Sequence, residues 1–552
     1  MKITTDIVRQ AVFGTIRRPL VRQIHVDSLD PLETELELEH VPNNLRTKSS
    51  KNVDTAQTAA KDTAKALRDL ESDRIRRKVS NIANRKIPGP PSIPLLGALW
   101  QYLPGGRYYG IDLNEAIKSN HARYGDIIKE EIVPGFTLVR MFNPSMFSDV
   151  YKAEGDNPER ALFSLLKRYN DVRNDGVQGL LTSQGESWRR LRREVQQRLL
   201  PPKTVELYLD EQGEVADDFV QRITEVRDQE GRVHDFLPEI YKYASEAVGT
   251  VCFNQRLGLF GKNADQHNDF QQAVHTCLEL TQKELSMIPL FKVMDTSLFR
   301  RFAEAQDTIR REALSSMDKA MKEIPGADAD KESMNLIHYL ITASKLTFQE
   351  IFTFISELFS AGVDTTGNFM AFSLHALAKH QNVQKELQRE IADVTSGRST
   401  ITAEMLREMS YLRGFLKETL RMYPVAPGLG RTLAKDTSFQ GYSIPAGTNV
   451  VLQCDMTGRD PRFVNEPHVL KPERWMRENG KEPISPYLTI PFGHGPRSCP
   501  GRRLALQEVS LGIIKILQQY SLGKKDRDLS ISMKLLNTPS EPLSFEFIRR
   551  RD

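Results

Sequence analysis

The 552-residue chain carries 76 basic and 72 acidic side chains, a formal net charge of +4, with 27% charged and 39% hydrophobic residues. That balance excludes a mostly disordered chain and gives no electrostatic reason to expect a nucleic-acid partner. The four cysteines, Cys252, Cys277, Cys454 and Cys499, are widely separated with no Cys-x-x-Cys pair, which argues against a disulfide framework or a closed zinc site.

Residues 1–26 hold Lys2, Arg9, Arg17, Arg18 and Arg22 against one acid, Asp6, and Val8, Val12, Phe13, Ile16 and Leu20 form an apolar stripe if the segment is helical. An Arg-rich, acid-poor, amphipathic start is the profile of a mitochondrial presequence; a basic surface helix is the competing reading. Acids from Asp27 to Glu39 mark its end, and residues 27–85 read as a polar linker, partly helical around Ala59 to Arg77. No run approaches the roughly 18 consecutive apolar residues of a membrane-spanning helix. Ile87-Pro88-Gly89-Pro90-Pro91 then forms a stiff, extended lead-in to one large domain over residues 86–552. Long helical patterns dominate that domain, with short strand-like runs at Thr137–Arg140 and Thr448–Leu452. The fold class is therefore mainly α with small β-sheets, an α+β domain.

Within it, Trp188-Arg189-Arg190-Leu191-Arg192 is a basic helical segment. Leu346 to His380 reads as one long apolar helix, interrupted by Ala361-Gly362-Val363-Asp364-Thr365-Thr366-Gly367. Two glycines and two adjacent threonines are poor helix formers, and such a conflict points to a functional kink; hydroxyls bonding back to preceding carbonyls are the alternative. Glu418 and Arg421, three residues apart, are neighbours on one helix face. Lys471-Pro472-Glu473-Arg474-Trp475 follows. The run Pro491 to Arg503 places Cys499 just before a helical pattern from Arg502 to Tyr520. A helix N-terminus stabilises a thiolate, and because Pro500 has no N–H, Gly501 and the residues after it are the expected donors to the sulfur. Arg497 is left to pair with an anionic group, and the alternative for Cys499 is a buried core thiol.

Phe492, Gly493, Gly495, Arg497, Cys499 and Gly501 together resemble the haem-binding loop of the cytochrome P-450 family, and the chain is most similar to invertebrate mitochondrial members. The resemblance implies the P-450 fold as a single haem-binding domain, haem b as cofactor and Cys499 as its axial iron ligand. It also implies an oxygen-side proton relay at Asp364 and Thr365, and a buried network of Glu418, Arg421 and Arg474. Trp188, Arg192, Arg431 and Arg497 are the implied propionate ligands, with Phe492 in the haem loop. No Gly-x-Gly-x-x-Gly fingerprint marks a nucleotide domain, so electrons must come from another protein. Arg413, Lys417, Arg502 and Arg503 resemble the docking surface for an adrenodoxin-like ferredoxin, itself reduced by an NADPH-dependent reductase. The implied activity is insertion of one oxygen atom from O2 into a lipophilic substrate, a steroid, sterol or xenobiotic. A haem-thiolate binder or sensor without turnover is the alternative. Also implied is location on the matrix side of the inner mitochondrial membrane, with peripheral association. The expected pocket draws on Leu162–Gly179, Leu278–Phe291, Phe354–Val363, Val425–Leu429 and Leu535–Pro539.

Overall fold

A hairpin of two alternating strands, β1 (Ile127–Val133) and β2 (Phe136–Met141), turns at Gly135 in the left-handed region that glycine tolerates. The computed structural model describes residues 86–550 apart from 161, 262–267, 285–288, 323–332, 477–483 and 534, so the expected presequence at 1–26 and linker at 27–85 lie outside the described residues. The proline-rich lead-in runs along β1: the Lys129 N–H donates to Pro88 O at 2.9 Å. A Cβ on Gly89 would come within 1.9 Å of Lys129 O, so only glycine fits. Later strands β3 (Leu429–Thr432) and β4 (Asn449–Leu452) complete a sheet of order β1-β2-β4-β3. The two strand-like runs seen in the sequence pair in parallel, Leu138 opposite Asn449 and Met141 opposite Leu452.

Helices form the rest of the framework that positions the site. They are α1 (Ser164–Arg173), α2 (Gly185–Leu199), α3 (Leu209–Val226), α4 (Leu237–Phe253) and α5 (Asn268–Glu284). After them come α6 (Ser297–Lys322), α7 (Phe348–Lys379), α8 (Ser410–Met422) and α9 (Arg502–Gln519). Helix α7 starts where Thr347 and Glu350 form a capping box, two residues later than the apolar pattern suggests. Its first half belongs to one core with α1 and α2, around Leu165, Trp188, Phe354 and Phe359. The second half lies in another with α8 and α9, around Phe372, Leu377, Phe415 and Ile513. Helix α9 ends one residue short of the expected Tyr520, which opens a strand paired with Phe545–Arg549.

No break in the helix marks the stretch of α7 where a kink is expected. Helix runs without interruption from Ala361 to Gly367, and its glycines serve a different purpose. A Cβ on Gly362 would lie 2.8 Å from the Val248 side chain, and one on Gly367 would lie 2.5 Å from the Tyr241 ring. Both face α4, so the glycines permit close helix packing. Thr365 Oγ donates to Ala361 O at 2.7 Å, which absorbs the hydroxyl without opening the helix.

Candidate active site

The loop before α9 is built by its own backbone. Cys499 N–H donates to Phe492 O at 2.8 Å and Ser498 N–H to Gly495 O at 3.1 Å. Gly493 and Gly495 adopt φ of +71° and +74°, and a Cβ at Gly495 would reach 2.2 Å from Glu154 Oε1. Burial pushes the Cys499 thiol up, while the Gly501 N–H and the cations of Arg192, Arg160 and Arg502 push it down. The other three cysteines have the opposite company. Burial raises all of them, with Glu508 adding to the effect at Cys252, Asp364 at Cys277 and Asp455 at Cys454, whose thiol is pushed up to about 12. Cys454 also donates weakly to Ala426 O and Pro427 O, each at 3.7 Å. Of the four sulfurs, Cys499 alone has cations among its electrostatic neighbours. No group of three or more metal-ligating side chains occurs among the described residues.

Several guanidiniums gather around this sulfur. Arg497 stacks over Trp188, 4.4 Å from the ring centroid, and its Nη2 donates to Ser183 O and Gln184 Oε1. Its Nε and Nη1 are buried without partners, as are the Nε atoms of Arg192 and Arg160. Burial, then the charges of Arg160 and Arg431, push Arg497 down to about 9. Burial and Arg431 push Arg160 down to about 10. Buried cations that repel one another and hold unused donors call for anions. The two carboxylates of a haem meet that demand, so Trp188, Arg192 and Arg497 fit the cofactor. Arg160, for which the sequence offered no motif, joins them.

Arg431 has a different arrangement from the one its sequence position suggested. Its Nε donates to Glu154 at 2.6 Å, Nη1 to Gly430 O and Nη2 to His494 O, and the pair with Glu154 is buried on both sides. These donors are engaged within the protein, so here Arg431 anchors β3 to the cysteine loop rather than presenting them to a propionate. Phe492 is half-buried in that loop, packed against the α8–α9 core.

On the oxygen side, α7 is buried along most of its length, yet Ala361 is exposed and Gly362 and Thr365 are half-exposed. That accessible stripe suits a flat ligand laid against the helix. The adjacent threonines part company: Thr366 is buried and lies beside Glu508 of α9, whose carboxyl is raised to about 8 by burial. Gln212 Nε2 donates to Glu508 at 2.9 Å and Gln507 Nε2 to Gln212, a buried polar string that no local sequence pattern reveals. Glu508 lies nine residues beyond Cys499, so α7 packs beside the helix that follows the cysteine loop. Asp364 is buried and faces His275 of α5. Glu357, one turn before Ala361, accepts from Leu181 N–H at 2.8 Å; burial raises its carboxyl to about 7.

Glu418 lies at the centre of the third group. It accepts from Arg421 Nε and Nη2 at 2.9 and 2.7 Å, Arg474 Nε at 3.1 Å, Trp475 Nε1 at 2.8 Å and Lys471 N–H at 3.1 Å. Arg421 and Arg474 also donate to carbonyls at Gly458, Pro467, Val469, Asn465 and Glu466. Among the surface cations, Arg413 donates to Leu406 O and Arg407 O, and Lys417 lies over the Trp475 ring at 5.9 Å. Arg502 is exposed and Arg503 half-buried.

A sequence profile described as "Cytochrome P450" matches residues 87–547. The chain is 31% identical to "Cytochrome P450 10" of Lymnaea stagnalis, covering 84% of this chain and 86% of that protein. It is 30% identical to "Cytochrome P450 302a1, mitochondrial" of Drosophila melanogaster, covering 84% and 95%. Identity to "1,25-dihydroxyvitamin D(3) 24-hydroxylase, mitochondrial" of Mus musculus is also 30%, covering 84% and 89%. With the profile spanning nearly all the described residues around this cysteine loop, the chain belongs to the cytochrome P450 family.

Proposed function

We propose that this cytochrome P450 monooxygenase works in the mitochondrion, on the matrix side of the inner membrane, and oxidises a lipophilic substrate with electrons from a ferredoxin. The observation that carries the reading is the cationic setting of Cys499, with Arg160, Arg192 and Arg497 holding unused buried donors beside it. Haem, when bound, supplies oxygen activation, and a thiolate ligand favours O–O cleavage. Cys499 is that ligand in this reading. Trp188, Arg192, Arg497 and Arg160 hold the propionates, and Thr365 with Asp364 hands protons to the oxygen side.

Two contacts among the expected lining segments support a lipophilic substrate. Leu162 approaches Gly430, and the Asn537 side chain and N–H tie the late turn to Pro424 O and Val425 O at 2.8 Å each. Such a lining suits a steroid, sterol or xenobiotic, and a relative named as a vitamin D hydroxylase supports that class. Two relatives carry mitochondrial names, which supports the location. No described helix is long and apolar enough to cross a membrane. Leu95 and Val293, 85% and 81% exposed, with Leu290 and Met294 nearby in sequence to the latter, offer apolar contacts for peripheral association.

Reconstitution with an adrenodoxin-like ferredoxin and its NADPH-dependent reductase, with steroids screened by substrate-induced spectral shift, tests this reading. Turnover is expected for at least one compound that shifts the spectrum, and Thr365→Ala is expected to divert NADPH toward peroxide, cutting product per NADPH by about tenfold. Spectral binding with no product for any compound would leave a binder without turnover. Reversing both Arg413 and Lys417 to Glu is expected to raise the ferredoxin KM by about tenfold with the haem spectrum unchanged; unchanged kinetics would remove those residues from the docking surface.

A further inference from the structure

Asp364 is shut away from solvent, but the residue touching it is not. His275 Nδ1 lies 2.9 Å from Asp364 Oδ1, and 38% of the His275 side chain is accessible against 4% of Asp364. The Tyr241 ring meets the imidazole edge-on, with centroids 4.5 Å apart. Its hydroxyl donates to Asn368 Oδ1 at 3.1 Å, and Asn368 Nδ2 donates to Asp364 O at 2.8 Å. Three helices, α4, α5 and α7, thus fix the histidine over the acid. The contact itself falls outside hydrogen-bond geometry, and neither carboxylate oxygen accepts a directed bond among the described residues. Asp364 is therefore buried against an imidazole, with both carboxyl oxygens open to a proton.

We propose that His275 is the port through which protons from solvent reach Asp364, a positioning and relay residue one step outside the Asp364–Thr365 pair. This rests on the reading of Thr365 as the proton donor on the oxygen side. In the step, the Nδ1–H bond of the imidazolium breaks as an O–H bond forms on Asp364 Oδ1, leaving a neutral imidazole and a neutral carboxyl. The carboxyl releases its proton toward Thr365, the next residue, and the imidazole regains one from water, so one proton moves inward and both residues return to their starting charge. Other titratable groups lie near His275. Burial and the charge of Asp364 push the Tyr241 hydroxyl and the Cys277 thiol up, and Glu279, one turn on along α5, is paired with Lys283. An imidazole is the side chain of this group whose ordinary range spans neutral pH.

The test uses His275→Asn, which keeps a polar atom near the Nδ1 position but cannot carry the proton. In the reconstituted holoenzyme we expect product per NADPH to fall by about tenfold, the solvent isotope effect on turnover to rise, and the pH profile to flatten, with haem spectrum and substrate affinity unchanged. A second readout does not depend on turnover. With histidine labelled for NMR in the diamagnetic ferrous carbon-monoxide form, the His275 pKa should stand above the ordinary value and drop in Asp364→Asn. The proposal is overturned if His275→Asn keeps wild-type coupling and pH profile while Thr365→Ala loses coupling, or if the imidazole pKa ignores Asp364→Asn. If Thr365→Ala is itself without effect, the underlying relay fails instead.

Discussion

Exchange of Cys499 for serine is expected to abolish the carbon-monoxide difference band of thiolate-ligated haem and all ferredoxin-driven turnover, whereas Cys454→Ala retains both. The two cysteines are each near a helix start, so the distinction lies in their surroundings. Cys454 opens the short helix Cys454–Thr457, its thiol faces two carbonyl oxygens, and Asp455 adds negative charge beside it. An anion there would be repelled. At Cys499 the nearest influences after burial are a backbone N–H and three arginines. Burial alone disfavours a thiolate, and a coordinated metal cation overcomes that penalty outright. A serine hydroxyl at the same place is a far weaker acid and a poorer iron ligand. Loss of the band in Cys454→Ala, or its survival in Cys499→Ser, would move the ligand to the wrong loop and overturn the site.

The parts of this site that were legible in the sequence are those built from neighbours in the chain. Pro500, which has no N–H, pointed to Gly501 as the backbone donor nearest the sulfur, and the Gly501 N–H is the first influence that lowers the thiol. The spacing of Glu418 and Arg421 placed them on one helix face, and they meet at 2.7 Å. What stayed hidden depends on segments far apart. His275 reaches Asp364 from 89 residues away in the chain, and Arg431 finds Glu154 across 277. Neither carries a local signature. Gly362 and Gly367 show the same limit in another form. In the sequence they weaken a helix, and only the presence of Val248 and the Tyr241 ring opposite them turns that weakness into a close packing surface. A glycine's meaning depends on what faces it.

The cationic cluster also ties the two sides of the site together. The segment between α1 and α2 is held at one point by Glu357, through Leu181 N–H, and a few residues later by Arg497, through Ser183 O and Gln184. Gln184 also donates to Arg160 O. A Cβ on Gly179 would sit 2.2 Å from the Glu357 carboxyl carbon, so this segment is pressed against α7. The same short stretch therefore connects the accessible stripe of α7 with the arginines beside Cys499. Anything that displaces it disturbs both.

Glu418→Gln is expected to cost more stability than any other single change discussed here. Glu418 and Arg421 have no accessible side-chain surface, and Arg474 is nearly as deeply buried. Five donors converge on one carboxylate, and the two arginines in turn hold backbone carbonyls between Gly458 and Val469. Close approach is built in as well: a Cβ on Gly414 would lie 2.6 Å from Pro472 O, so α8 and the Pro472–Trp475 turn are in backbone contact. Neutralising the glutamate leaves two guanidiniums buried without their counter-ion. Removing one partner of a buried pair costs about 3–5 kcal/mol, a large part of the roughly 5–15 kcal/mol that holds a domain folded. The expected outcome is a sharp loss of soluble, haem-loaded protein and a lowered thermal midpoint, read by absorbance and by calorimetry. Lys167→Ala provides the control, because its pair with Asp171 is exposed on both sides and should contribute no more than about 1 kcal/mol. Equal yields and midpoints for Glu418→Gln and wild type would show that the network does not stabilise the fold, and that its five hydrogen bonds only balance the cost of burying the charge.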